Sequence, residues 1–361
     1  MRCRWDSQRV SIEWCYSKAE RFTALFFCRF VSRLQLLFDF AKRVAYDQQP
    51  MVSRFATRGV LIVLAGFVLC CVSRAAETFR VATYNLENYL DEAIGTRPAK
   101  TPEGKLKIRE SLRAMQADVL AVQEMGSTNA LNELRDSLKR EGLDYPYWEH
   151  VTGFDTNIHV AVLSRFPVTA RRPHTNDSFL LFGRRFRISR GFAEVDIQVN
   201  ARYVFTLMTA HLKSRRPVPE ADEAELREQE ALVLRAKVDA RLKTNPQINL
   251  IVLGDFNDVK DSRSTRALIG RGRAALLDTR PAERNGDNQP NPNPRFEPRT
   301  ITWTYHYGKE DTYSRFDYIL LSAGMAREWK QSETYVLALA NWGVASDHRP
   351  VVAMFVAEDA K

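Results

Sequence analysis

From Thr78 onward, short apolar runs alternate with stretches whose apolar positions recur every three or four residues. The runs FRVATYNL (79–86), DVLAVQE (118–124), HVAVLSRFPV (159–168), RGFAEVDIQV (190–199) and RYVFTLMTAHL (202–212) predict strands. So do INLIVLGDF (248–256), RFDYILLS (315–322) and HRPVVAMFV (348–356). Ile108, Leu112 and Met115 share one face of a helix predicted over 105–115. Leu131, Leu134 and Leu138 mark a second helix that stops at Gly142. A third follows Glu220, with Ala231, Leu234, Val238 and Leu242 in register, and ends at Asn245-Pro246. Asn200-Ala201 joins two strands as a hairpin. Several strands mix alternation with unbroken apolar runs, which favours an α/β (α+β) sandwich of mixed sheets with helices outside over a purely parallel sheet. The stretch RNGDNQPNPNPRFEPR (284–299) predicts a long loop, because its Asn, Pro and Gly prevent regular pairing. No repeat or linker interrupts 77–361, so one domain is expected there.

The first 76 residues stand apart. They hold twelve Lys or Arg against five Asp or Glu, so they carry +7 of the net charge of +9 and leave +2 for the rest. A strongly basic nucleic-acid-binding domain is therefore not what the bulk of the chain describes. All five cysteines also precede residue 76, which excludes disulfides, a thiolate nucleophile and a cysteine zinc site from 77–361. MVSRFATRG followed by VLIVLAGFVLCCVSRAAE reads as an export signal over 51–76. Arg54 and Arg58 start it, Val60 to Val72 form its apolar run, and Ser73-Arg74-Ala75 offers a cleavage site. Thirteen apolar residues fall short of the about 20 that a membrane span wants. The expected location is secreted or periplasmic, and membrane-anchored if the signal stays uncleaved. Residues 1–50 read as an upstream mis-start without a fold, with Met51 a natural start.

The candidate chemistry lies where strands finish. Asn85 and Glu87 end the first, Glu124 the second and His211 the LMTAHL strand; Asp255 and Asn257 end IVLGDFN. Asp317 sits inside RFDYILL, and Ser346-Asp347-His348 precede the last strand. Each residue alone is ordinary, since Asn and Asp often close turns. Together they supply carboxylates, carboxamides and two histidines at strand ends, with no cysteine and no acyl-transfer serine motif. Carboxylate and amide oxygens are hard ligands for Mg²⁺ or Mn²⁺, and imidazoles can stabilise phosphoryl charge or move protons near neutral pH. Metal-assisted hydrolysis of a phosphoester uses these parts.

TYNLEN, VQE, TAHLKS, GDFND, ITWTY followed by FDYIL, and SDHRPV occur in the order found in the endonuclease/exonuclease/phosphatase superfamily, which the chain resembles over about 78–356. The resemblance implies a four-layer sandwich, with two mixed β-sheets face to face flanked by helices. It implies a hydrolase of phosphoester bonds that uses Mg²⁺ or Mn²⁺, with Ca²⁺ as a conceivable structural ion. By this resemblance Glu124 is the main metal ligand, with Asn85 and Asp347 beside it and Glu87 at a secondary position. Asp255 orients or deprotonates the attacking water, and Asn257 contacts the phosphate. His348 bonds the scissile phosphate and is oriented by Asp317, and His211 is a second histidine. Asp258 receives no role beyond its turn.

For the substrate, His211 stands where abasic-site endonucleases resemble one another in carrying Tyr, and the fuller 5-phosphatase signature is missing after Asp258. Arg171, Arg172, Arg184, Arg185, Arg187 and Arg190 concentrate guanidinium groups that could track a phosphate backbone. Lys213 and Arg215 follow His211 and suit a flanking phosphate; Trp303 and Tyr305 suit stacking. Nucleic acid is the expected substrate. A phospholipid or small phosphoester is the alternative, with FLLFG (179–183) as a short apolar hairpin for a bilayer, and a non-catalytic phosphate-binding module is a further one. No protein partner is implied, and a monomer is expected.

Overall fold

The computed structural model describes residues 77–283 and 302–359. The signal segment 51–76, the preceding 1–50 and the loop 284–299 lie outside the described residues. In chain order the elements are β1 (Thr78–Tyr89), α1 (Pro102–Met115), β2 (Val119–Met125), α2 (Thr128–Arg140), β3 (Tyr147–Val151), β4 (His159–Ser164), β5 (Val168–His174), β6 (Ser178–Leu181), β7 (Arg184–Arg187), β8 (Phe192–Asn200) and β9 (Tyr203–His211). They continue with α3 (Glu223–Thr244), β10 (Leu250–Asp255), α4 (Arg263–Ile269), β11 (Leu277–Asp278), β12 (Ala282–Glu283), β13 (Tyr305–Tyr307), β14 (Thr312–Ser314), β15 (Asp317–Leu321), α5 (Ala323–Ala326), β16 (Trp329–Val336) and β17 (Val351–Val356).

Two mixed sheets carry the fold. One has the order β12-β16-β17-β1-β2-β4-β3 and the other β11-β15-β10-β9-β8-β5. The unbroken apolar runs are explained by what each face meets, since successive strand side chains point to opposite faces. Val81, Val119, Ala121, Leu207, Ile251, Leu253, Ile319 and Leu321 meet between the sheets in one core cluster. Their alternate neighbours Ala82, Leu120 and Val122 pack on Ile108, Leu112, Leu131 and Leu134 of α1 and α2. On the far side, Met208, Leu250, Val252 and Leu320 pack on Ala231, Leu234 and Val238 of α3. The result is helix, sheet, sheet, helix: the four-layer sandwich expected from the sequence. Caps agree with the helix starts. Thr101 accepts from Gly104 N before α1, and Asp222 accepts from Ala224 N and Glu225 N before α3.

Two local readings change. The run 159–168 is two strands, not one: it breaks at Arg165–Pro167, where Ser164 Oγ accepts from Phe166 N and donates to Phe166 O, and β5 joins the opposite sheet. β3 and β16 went unseen because YWEHV and WKQSETYV have only one buried position each and little apolar periodicity.

Candidate active site

Parallel pairing delivers the strand ends to one place. β1 runs parallel to β2, and β9 to β10, so Asn85, Glu124, His211 and Asp255 all arrive at C-terminal ends. β15 runs antiparallel and starts where β10 finishes, which sets Asp255 opposite Asp317 and beside His211. Asn85, His211, Asp255 and Asp317 continue the inward-facing rows of the core. Between the apolar core and the site lies a polar layer in which the Gln123 carboxamide bonds Thr83 Oγ1 at 3.1 Å and Thr209 Oγ1 at 3.3 Å. The sequence reading missed this layer; its signal was Thr83, Gln123 and Thr209, each the polar residue that ends the apolar inward-facing row of its strand.

Glu124 follows Gln123 and by simple alternation would face the helices. Its backbone turns instead to φ 57, and the β2 registers with β1 and β4 shift at this point. The bulge redirects its carboxylate into the site. Asn257, at φ 52, is turned in the same way. Such conformations cost about 1–3 kcal/mol each and persist where the surroundings enforce them. Gly254 makes the approach of β10 to β9 possible. Its φ is +135, and a Cβ there would stand 2.0 Å from Ala210 O.

Asp255 is the centre of the network. Its Oδ2 accepts from Asn85 Nδ2 at 2.9 Å and from Asn257 Nδ2 at 3.3 Å, and its Oδ1 accepts from Asn257 N at 2.8 Å. His211 Nε2 lies 3.5 Å and His348 Nε2 3.7 Å from the same Oδ2. His348 Nδ1 is bound to Asp317 Oδ2 at 2.8 Å. Burial raises the Asp255 carboxyl, with Asp317 adding to it while His348 and the two hydrogen bonds oppose. For His348, burial acts downward, but the Asp317 and Asp255 carboxylates hold the imidazole well above its usual value. His211 goes the other way: burial, then Arg190 and His348, keep it neutral.

The oxygen-donor set lies alongside. Glu124 Oε2 accepts from Asn88 N at 2.9 Å, and Oε1 lies 3.5 Å from Asn85 Nδ2 and 3.9 Å from His211 Nε2. Asp347 is raised by its enclosed surroundings, and by Glu87, Glu124 and Asp255, against His348. With 38% of its side chain still open to solvent, water screens part of this repulsion. Mutually repelling carboxylates are the setting a divalent cation would relieve, and their hard oxygens fit Mg²⁺ or Mn²⁺. Asn85 as oriented turns its nitrogen to Glu124 and Asp255 and its oxygen to Glu87 N. Service as a ligand requires its carboxamide to turn over. Glu87 is drawn aside by Lys100 at 3.4 Å. Asp255, Asp317 and His348 also bring ligand-type atoms within 4.8 Å of one another, although hydrogen bonds already engage all three.

The outlying candidates are placed less uniformly. Lys213 Nζ is tied to Ser214 O and Arg216 O, so its ammonium braces its own loop. Trp303 is half-buried, with the Arg349 guanidinium 3.3 Å from its ring centre and Tyr313 and Trp342 edge-on. Tyr305, by contrast, lies 4.8 Å from the His348 ring and borders two grooves. The arginine patch is partly consumed internally. Arg171 pairs with Glu149, Arg172 with Glu194 and Asp196, and Arg190 is buried. Arg184, Arg185 and Arg187 stay exposed on the β6–β7 hairpin.

The Endonuclease/Exonuclease/phosphatase family profile matches residues 82–348, and the chain belongs to that family. Its members hydrolyse phosphoester bonds, generally with a divalent metal. Among solved structures, sphingomyelinase C from Streptomyces griseocarneus aligns at 18% identity and TM-score 0.52, over 77% of this chain and 99% of its own. Truncated Caenorhabditis elegans TDP2 aligns at 16% and 0.52, over 78% and 98%. The human Nocturnin catalytic domain with bound sulfate aligns at 17% and 0.52, over 79% and 97%. These similarities concern the fold. A search of curated proteins finds no match.

Proposed function

We propose that the chain is a Mg²⁺- or Mn²⁺-dependent phosphodiesterase acting on nucleic acid. The observation that carries this reading is the pair of grooves flanking the reaction centre. One, of about 790 Å³, is lined by Arg215, Arg216, Lys309, Tyr305, Tyr307 and Phe316. The other, of about 440 Å³, runs past Asp347, Tyr305, His306, Lys309 and Trp342. Room on both sides suits a diester within a chain better than a terminal phosphate, and cations with aromatic faces suit a strand of phosphates and bases.

In this reading Asp255, with its proton affinity raised by burial, takes a proton from the attacking water while Asn85 and Asn257 hold its carboxylate in place. His348, charged and steered by Asp317, donates from Nε2 to the phosphate oxygen where negative charge grows. Neutral His211 can donate a second hydrogen bond from the opposite side of Asp255. Glu124 and Asp347 would hold a Mg²⁺ or Mn²⁺ ion, which would supply positive charge to the phosphate, while Asn85 stays on Asp255. Ca²⁺ binding as a structural ion and the monomeric state are carried along as expectations. So is export directed by residues 51–76, which N-terminal sequencing of secreted protein tests: a start near residue 76 supports it.

One observation favours a phospholipid as the second reading. Leu180 is 62% and Phe182 76% exposed on the β6–β7 hairpin, beside Arg184 and Arg185. The chain leads from this hairpin directly to Arg190, whose Nη1 donates to Leu212 O next to His211. Incubating the full chain and metal with plasmid DNA, RNA and sphingomyelin vesicles side by side tests the reading. Cleavage of nucleic acid supports it, cleavage of lipid alone transfers it to the second reading, and silence on all three leaves a small phosphoester or a binding module.

A further inference from the structure

Asp258, the residue after the Asn257 turn, is only 6% exposed, and its carboxylate is fully engaged. It accepts from Arg227 Nε at 2.9 Å, Ser264 Oγ at 2.8 Å, Arg215 Nη2 at 2.7 Å and Val259 N at 3.1 Å. A turn needs only the last of these. Arg227, on α3, is 3% exposed and also donates to Lys213 O and Glu223 O, so one side of Asp258 is fixed to the core. The other side holds Arg215, whose side chain remains 47% exposed.

Two guanidinium groups share this single carboxylate, so the trio keeps a surplus positive charge, and Arg215 is its solvent-facing member. Arg215 also donates from Nε to Asn257 O at 3.3 Å, and its Cζ lies 4.7 Å over the Phe316 ring. Phe316 stacks on Tyr305 at 4.9 Å, and Tyr305 lies 4.8 Å from His348. Arg215, Phe316 and Tyr305 thus form a column in the wall of the larger groove, tied to Asp258 at one end and reaching the His348 imidazole at the other.

We propose that Asp258 is a positioning residue: it holds the Arg215 guanidinium in the groove wall as a binding point for the phosphodiester that flanks the one being cleaved. The inference rests on the nucleic-acid reading above. Arg215 spends one nitrogen on Asp258 and one on a backbone oxygen, and the planar fork keeps further N–H groups for an anion. Arg227 plays no such part because it is enclosed.

The test is steady-state kinetics of the full chain with Mn²⁺ on a single-stranded oligonucleotide and on bis(p-nitrophenyl) phosphate, which has no flanking phosphate. Wild type is compared with Asp258→Asn, Arg215→Met and the double variant. In each single variant the oligonucleotide KM rises about tenfold, with a much smaller change in kcat, and the rise exceeds that for the small diester. The slope of log KM against log salt falls by about 0.7, as expected for one lost contact to a single strand. The double variant is no worse than Arg215→Met alone, because Asp258 acts through Arg215. Additive losses, or equal losses on both substrates with an unchanged salt slope, overturn the proposal. Should Asp258→Asn fail to fold, Arg215→Met still leaves the Arg227–Asp258 pair intact and gives the same salt-slope readout. If the small diester is cleaved and the oligonucleotide is not, the nucleic-acid reading fails separately. The subsite is then read from inhibition of small-diester cleavage by a nucleoside 3′,5′-bisphosphate: weaker inhibition in Arg215→Met sustains it, and equal inhibition removes it.

Discussion

Asp317 Oδ2 lies 2.8 Å from His348 Nδ1, and both side chains are almost wholly buried. The contact decides the chemistry of the other imidazole nitrogen. With Nδ1 held by a carboxylate, the ring stays charged and Nε2 is left to face Asp255 and the phosphate. Asp317→Asn keeps the shape and removes the charge. It is expected to lower kcat by a factor on the order of 10²–10³, the range for a weakened donor to developing charge. The sign of the pH effect is also fixed. The carboxylate raises His348, so without it the imidazole loses its proton at lower pH, and the alkaline limb of the rate profile moves downward. An unmoved limb would show that the rate does not depend on His348 keeping its proton.

Asn85 stands between two carboxylates, 2.9 Å from Asp255 Oδ2 and 3.5 Å from Glu124 Oε1. Asn85→Asp exchanges a donor for a like charge at nearly constant volume. Asp255 is already raised by burial, and a second carboxylate raises it further. Since the base form must be ionised, the acid limb of kcat/KM is expected to move to higher pH. A profile recorded for both proteins between the acid and neutral ranges checks this.

At Gly254 the constraint is steric. A methyl group would meet Ala210 O at 2.0 Å, and φ of +135 is foreign to any L side chain. Gly254→Ala is expected to cost more than about 3 kcal/mol, combining backbone strain with overpacking. Thermal melting or loss of soluble expression reads it out; a Tm equal to wild type would show that β9 and β10 can separate.

His159 and His150 form an edge-on pair 4.8 Å apart beside the end of β2, where His159 pairs with Met125 and His150 Nε2 meets Gly126 O. Burial, then the His150 charge, depresses His159 to about 4, and its Nδ1 is buried without a partner. The unfolded chain therefore binds more protons between about 4 and the ordinary histidine value of about 6.5, and stability falls as pH falls through that window. His159→Gln is expected to flatten the decline of Tm over this range. A parallel decline in both proteins would assign the acid sensitivity elsewhere.

The strands that carry the site were legible because each is buried on both faces and therefore reads as an unbroken apolar run ending in polarity, as in LIVLGD before Asn257. What the strings could not show was which way a side chain turns at a strand end. Glu124 has the wrong parity for the site and enters it only through its bulge. Asp258 was set aside as a turn residue because its partners, Arg215 and Arg227, lie 43 and 31 residues earlier. Long-range ion pairing leaves no local pattern. For the same reason the arginine cluster looked like one open surface, although Glu194 and Asp196, on the neighbouring strand, absorb Arg172. Trp303 was favoured as a stacking face by its position in ITWTY, but Arg349 sits against it, and Tyr305 two residues on borders both grooves.

The most direct test follows supercoiled plasmid with the full chain in Mg²⁺ or Mn²⁺, alongside Asp255→Asn and wild type in EDTA. The account predicts nicking by the metal-loaded wild type, abolished by EDTA and reduced at least about 10²-fold in the variant, as for loss of a general base. Nicking that persists equally in Asp255→Asn would contradict it, because the activity would then come from somewhere other than the network centred on Asp255.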